Sequence, residues 1–109
     1  MAMMNVIIGE GLVDQDYVDN YTVGFSELAE KAKERTPEWA AEITGISADD
    51  IRKFAREYAK TQPSAIRIGV ALEKSWGGSQ AIRAVASLPA LTVANTSLFP
   101  SILAFAMTS

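Results

Sequence analysis

The residues with the most chemical promise sit close together, in the run Glu73-Lys74-Ser75-Trp76-Gly77-Gly78. Gly77 and Gly78 let the backbone approach a bulky anionic ligand, and Lys74 adds a positive point charge. An ordinary βα turn fits the same description, because a glycine pair falls short of a nucleotide-binding fingerprint. Trp76 has two open readings, packing on a ligand or packing on a neighbouring domain. Elsewhere, Glu30 and Glu34, and likewise Glu38 and Glu42, lie one helical turn apart. Paired carboxylates can serve acid–base work or a metal, but on outward helix faces they are solvated charges.

Other chemistries are excluded by composition. The 109 residues contain no cysteine and no histidine. Thiolate nucleophiles, disulfides, iron–sulfur ligation and the usual zinc sites are therefore absent, as is the side chain best suited to proton transfer near neutrality. A formal charge of -3, without a basic stripe, argues against nucleic acid. With 49% hydrophobic and 21% charged residues the chain reads as globular. Its opening, Met1-Ala2-Met3-Met4-Asn5, has no cationic region and does not read as a signal peptide.

The elements that must position the loop follow from local signals. Met3 to Ile8 is apolar and short, and its periodicity does not separate helix from strand. Asp14 caps a short helical turn over Gln15 to Val18, Gly24 breaks the chain, and a helix follows from Phe25 with Glu27 and Lys31 paired one turn apart. Thr36-Pro37-Glu38 is a helix start, with Trp39, Ala40 and Ile43 on its apolar side and Gly45 ending it in a left-handed conformation. Ser47 caps the next helix, where Ile51, Phe54, Ala55, Tyr58 and Ala59 form the inward stripe. Gln62-Pro63 stops it. Residues 65–72 read as a mostly buried strand, followed by the glycine loop and a helix capped by Ser79. Helix, strand, glycine loop and helix predict an α/β class: a helix-rich piece of a doubly wound α/β domain with one clear strand.

Every ionisable side chain lies at or before Arg83. The uncharged stretch from Ala84 to Ser109 is interrupted by Pro89, Pro100 and several hydroxyl and amide side chains, so it reads as core of a larger protein rather than a membrane span. By itself such a stretch favours self-association through apolar surface.

Several runs, in order and spacing, resemble a known family. They are Asp16-Tyr17-Val18, Tyr21 to Leu28, Thr36-Pro37-Glu38-Trp39-Ala40-Ala41-Glu42-Ile43-Thr44-Gly45, Ile51-Arg52, Ala55 to Ala59, Gly69 to Lys74, Gly78, Ala81 to Ala84 and Leu88 to Thr92. The pattern is similar to the central part of the catalytic subunit of molybdopterin oxidoreductases, the dimethyl-sulfoxide reductase superfamily. The resemblance covers roughly residues 5 to 92, and the run from Thr36 to Gly45 is its most specific part.

This resemblance implies a segment of a longer chain that holds molybdenum or tungsten between two pterin guanine dinucleotides and moves two electrons. It implies cofactor contacts at Gly69, Lys74, Ser75 and Gly78, and partners in the remaining domains of the same subunit. It implies no catalytic or metal-ligating residue within this chain, and work on either side of a bacterial inner membrane. Where several relatives carry Gln-Arg, this chain has Glu73-Lys74, which keeps the charge but loses the bidentate fork. Residues 1–92 thus form the family-like segment, and residues 93–109 an apolar tail that departs from it. The competing expectation, from another functional class, is a free-standing helical interaction module without activity.

Overall fold

The computed structural model describes residues 1–61, 66, 68 and 70–92. Among these, six helices and no strand are present: α1 (Ala2–Gly9), α2 (Gln15–Tyr21), α3 (Phe25–Lys33), α4 (Pro37–Thr44), α5 (Ala48–Lys60) and α6 (Gly78–Leu91). The described fold is therefore helical, which corrects the α/β expectation. Of the expected strand at 65–72, positions 65, 67 and 69 lie outside the described residues, and residues 70–72 are turn. The physical reason is the want of a partner strand among the described residues. A lone strand has no ladder to take its amides. Here the amides of Lys74 and Ser75 instead reach back to the carbonyls of Ala71 and Leu72, both at 3.3 Å.

α1 is the hub. It is apolar nearly all round, as a helix buried on every side must be, and it packs against α3, α4 and α5. Met4 and Ile7 are fully buried in a cluster with Val18, Ala32, Ala55, Ala59, Leu88 and Leu91. Gly11, at φ +69°, ends the helix: its N–H reaches the Ile8 carbonyl at 3.3 Å and the Leu12 N–H reaches Ile7 at 2.9 Å. That is a Schellman stop, in which the left-handed residue favours glycine. The single polar side chain of α1, Asn5, donates from Nδ2 to the Ala32 carbonyl at 2.8 Å. It thereby adds a second donor to an end carbonyl of α3 that the Arg35 N–H also reaches at 3.1 Å.

The short helices begin where their caps stand. Asp14 Oδ1 accepts from the Tyr17 amide at 3.2 Å, Thr36 Oγ1 from Trp39 at 3.1 Å, and Ser47 Oγ from Asp50 at 3.2 Å. Asp14 also donates its own N–H to the Leu91 carbonyl at 2.7 Å, tying the start of α2 to the end of α6. Two ion pairs bind α5 to its neighbours: Arg52 with Glu38 of α4, and Arg56 Nε with Glu10 just past α1, at 2.9 Å. The hydrogen bond from Arg52 holds the Glu38 carboxyl below the usual carboxylate range.

Three side chains, Phe54, Trp39 and Ile43, are more exposed than their expected places would make them. Phe54 is 60% exposed and Trp39 36%, so the inward stripe of α5 rests on Ala55 and Ala59. Small residues at these positions let α5 lie close to α1, and a ring one position away on the helix then falls to the flank. Trp39 lies under the Arg35 guanidinium, 4.7 Å from the ring centre. On α3 the ion pair is Lys33 with Glu30 at 2.9 Å, one residue pair away from the expected Glu27 and Lys31.

Candidate functional site

The turn before α6 is built from the backbone outward. Residues 70–77 run as turns and a bend, closed by the Lys74 and Ser75 amide bonds and by Gly78 N–H to the Ser75 carbonyl at 3.0 Å. Ser75 Oγ donates to the Leu72 carbonyl at 2.8 Å, which fixes the hydroxyl and leaves its lone pairs facing out. Gly77 caps α6 at φ +72°, so the expected cap at Ser79 is displaced by two residues. A left-handed N-cap is a backbone task, and glycine performs it without a side chain.

Gly78 is buried for a different reason. A Cβ there would stand 2.1 Å from the Leu72 carbonyl oxygen and 3.1 Å from that of Glu73. Its missing side chain therefore serves close packing inside the turn. Lys74 and Ser75 are exposed, and Trp76 is exposed over 103% of its reference surface. The turn thus presents a cation, a hydroxyl and a bare indole ring together. Gly69, the fourth expected contact, lies outside the described residues.

A cation with an outward hydroxyl suits a phosphate-bearing group, and an exposed indole suits a planar ring beside it. The arrangement is an open face rather than an enclosure. Among the described residues no three acidic side chains come together to hold a metal. Nor is any described helix long and apolar enough to cross a membrane.

A separate cleft of ≈ 420 Å³ opens between α3 and α6. Glu27, Leu28 and Lys31 line it from α3, Gln80, Arg83 and Ala84 from α6, and Met1 at one end. None of Lys74, Ser75 or Gly78 borders it. Reading the sequence missed this cleft, because its walls come from helices far apart along the chain. The nearest available signal was the spacing of polar positions, four residues for Glu27 and Lys31 and three for Gln80 and Arg83.

Compared with models of known protein families, the chain matches none. Curated proteins are more informative. The chain is 39% identical over 92 residues to "Probable oxidoreductase YoaE" of Bacillus subtilis, covering 84% of this chain and 14% of that protein. It is 40% identical over 91 residues to formate dehydrogenase H of Escherichia coli, covering 84% and 13%. It is 47% identical over 66 residues to the thiosulfate reductase molybdopterin-containing subunit PhsA of Salmonella typhimurium, covering 61% and 9%. The chain spans no more than 14% of the length of these three relatives. Identity of this degree over most of a short chain, shared with several such enzymes, establishes that the chain belongs to the molybdopterin oxidoreductase family and corresponds to one short segment of its members' polypeptide.

Proposed function

We propose that the chain is a segment of a molybdopterin-dependent catalytic subunit and supplies part of the wall that holds a pterin guanine dinucleotide. The observation carrying this reading is the exposed trio Lys74, Ser75 and Trp76 on a turn strapped by Gly78, in a chain of that family. Lys74 pairs with a phosphate, the Ser75 hydroxyl accepts or shares a hydrogen bond, and the Trp76 ring lies against the flat part of the ligand. The strapped backbone keeps these groups in place before the ligand arrives, which lowers the ordering cost of binding. Gly69 and Gly78 act through the backbone, Gly78 by letting the turn close.

When bound, the metal–pterin group supplies two-electron chemistry on a small substrate. This segment's residues bind and orient, and the chain alone is inactive. The remaining domains of the subunit complete the site. Loss of one charge-assisted contact should weaken cofactor retention about tenfold, equivalent to roughly 1.4 kcal/mol. The test is metal and pterin per subunit for Lys74→Ala and Trp76→Ala in the catalytic subunit carrying this segment, with Lys53→Ala as the control. Lower occupancy in the first two alone supports the reading, and unchanged occupancy in both overturns it.

The helical character of the described residues, with a core of their own around α1, favours one second reading: a free-standing interaction module. It predicts a monodisperse folded monomer with no binding of apolar dyes. The segment reading predicts dye binding or self-association.

A further inference from the structure

We propose that Ser75 is a positioning residue: its hydroxyl latches the turn before α6 and so holds Lys74 and Trp76 on the open face. This role rests on the cofactor reading above and deepens it, giving one side chain the task of ordering that surface. Ser75 Oγ and the Ser75 N–H both donate to the Leu72 carbonyl, at 2.8 and 3.3 Å. The Ser75 carbonyl in turn accepts from the Gly78 N–H at 3.0 Å, so Ser75 ties the front of the turn to its back. The other bond across the front, Lys74 N–H to the Ala71 carbonyl, is 3.3 Å long. Both amide bonds there exceed the usual N–H donor range, whereas the hydroxyl bond has the ordinary length for an O–H donor. Without the hydroxyl, only the two long bonds remain at the front.

The latch and the glycine meet at one atom. A Cβ at Gly78 would stand 2.1 Å from the same Leu72 oxygen that Ser75 engages. Lys74 and Trp76 are both exposed, so packing does not aim them and backbone order must. A hydroxyl carries a single proton, and that of Ser75 goes to Leu72. It is not available to an ionised phosphate oxygen, which only accepts. For an anionic ligand the charge then comes from Lys74 and the ring contact from Trp76, the two neighbours whose backbone Ser75 fixes. The remaining Ser75 lone pairs serve a ligand N–H or O–H, a separate duty that begins only once a ligand is bound.

Amide hydrogen exchange in the full chain reads the latch with no ligand present. Ser75→Ala should speed exchange of the buried Gly78 amide about fivefold, as the loss of one hydrogen bond implies. Ile7, fully buried in α1, should exchange as in the wild type, and Ser75→Thr should return Gly78 to the wild-type rate. An unchanged Gly78 rate in Ser75→Ala overturns the proposal. So does an equal rise at Gly78 and Ile7, which marks general destabilisation, and so does a Ser75→Thr chain that exchanges like Ser75→Ala. In the catalytic subunit carrying this segment, metal per subunit should fall in Ser75→Ala and recover in Ser75→Thr. Metal content that follows Lys74→Ala but ignores Ser75→Ala also overturns the positioning role. Failure of the cofactor reading alone looks different: metal ignores Lys74→Ala while Gly78 exchange still responds to Ser75→Ala.

Discussion

Asn5 and Ala32 are joined across two helices: the Asn5 side-chain amide donates to the Ala32 carbonyl at 2.8 Å, and the Arg35 N–H reaches that same oxygen at 3.1 Å. The one polar side chain of the central helix thus closes the end of α3. Asn5→Ala should cost about 0.5–1.5 kcal/mol, the loss of one partly buried hydrogen bond, since the Arg35 N–H still reaches the Ala32 carbonyl. Denaturant unfolding measures this directly, and a change below about 0.3 kcal/mol would remove Asn5 from the account of stability.

Gly78 and Gly9 give a paired prediction. A methyl at Gly78 meets the Leu72 carbonyl oxygen at 2.1 Å, whereas one at Gly9 meets nothing within 4 Å. Gly9→Ala should be neutral or stabilise by up to about 1 kcal/mol through helix propensity. Gly78→Ala must move backbone and should destabilise by about 1–3 kcal/mol. The melting temperature should fall for Gly78→Ala and stay level or rise for Gly9→Ala.

The Glu38–Arg52 pair makes stability depend on acid. The Arg52 hydrogen bond lowers the Glu38 pKa in the folded chain, so the folded state releases that proton more readily than the unfolded state. The contribution is fully present above the unfolded glutamate value of about 4.3 and is lost as pH falls through the lower folded value. The melting-temperature difference between wild type and Glu38→Gln should therefore be larger at pH 6 than at about pH 3. A difference that stays constant across that range would show that the pair contributes nothing.

Tyr58 offers the opposite case. Its hydroxyl is buried and closes no hydrogen bond, although the Thr92 side chain lies beside it, and burial raises its pKa. Removing an unsatisfied hydroxyl relieves a desolvation cost, so Tyr58→Phe should be neutral or stabilise by up to about 1 kcal/mol. The raised pKa means the wild type loses stability as pH rises above the unfolded tyrosine value of about 10, and Tyr58→Phe should flatten that alkaline decline.

What could be read from the sequence was what short-range chemistry decides. Asp14, Thr36 with Pro37, and Ser47 open helices because each cap needs only an amide three residues away. Gly45 ends α4 for an equally local reason. The strand expected at 65–72 needed a partner the described residues do not provide, and no local pattern reveals that. Phe54 has the spacing of an inward residue, but which flank of α5 is covered depends on how closely Ala55 and Ala59 approach α1. At the turn, Lys74, Ser75 and Gly78 are neighbours in sequence, so their proximity was legible. The packing duty of Gly78 was not, because it depends on where the chain brings the Leu72 carbonyl.

The most direct measurement exchanges the matched segment of formate dehydrogenase H for its counterpart in this chain and counts molybdenum or tungsten per purified subunit. A folded exchanged subunit should hold metal at nearly the unexchanged ratio, and adding Lys74→Ala should lower it. A folded subunit that holds no metal, or whose metal content ignores Lys74, would contradict the account.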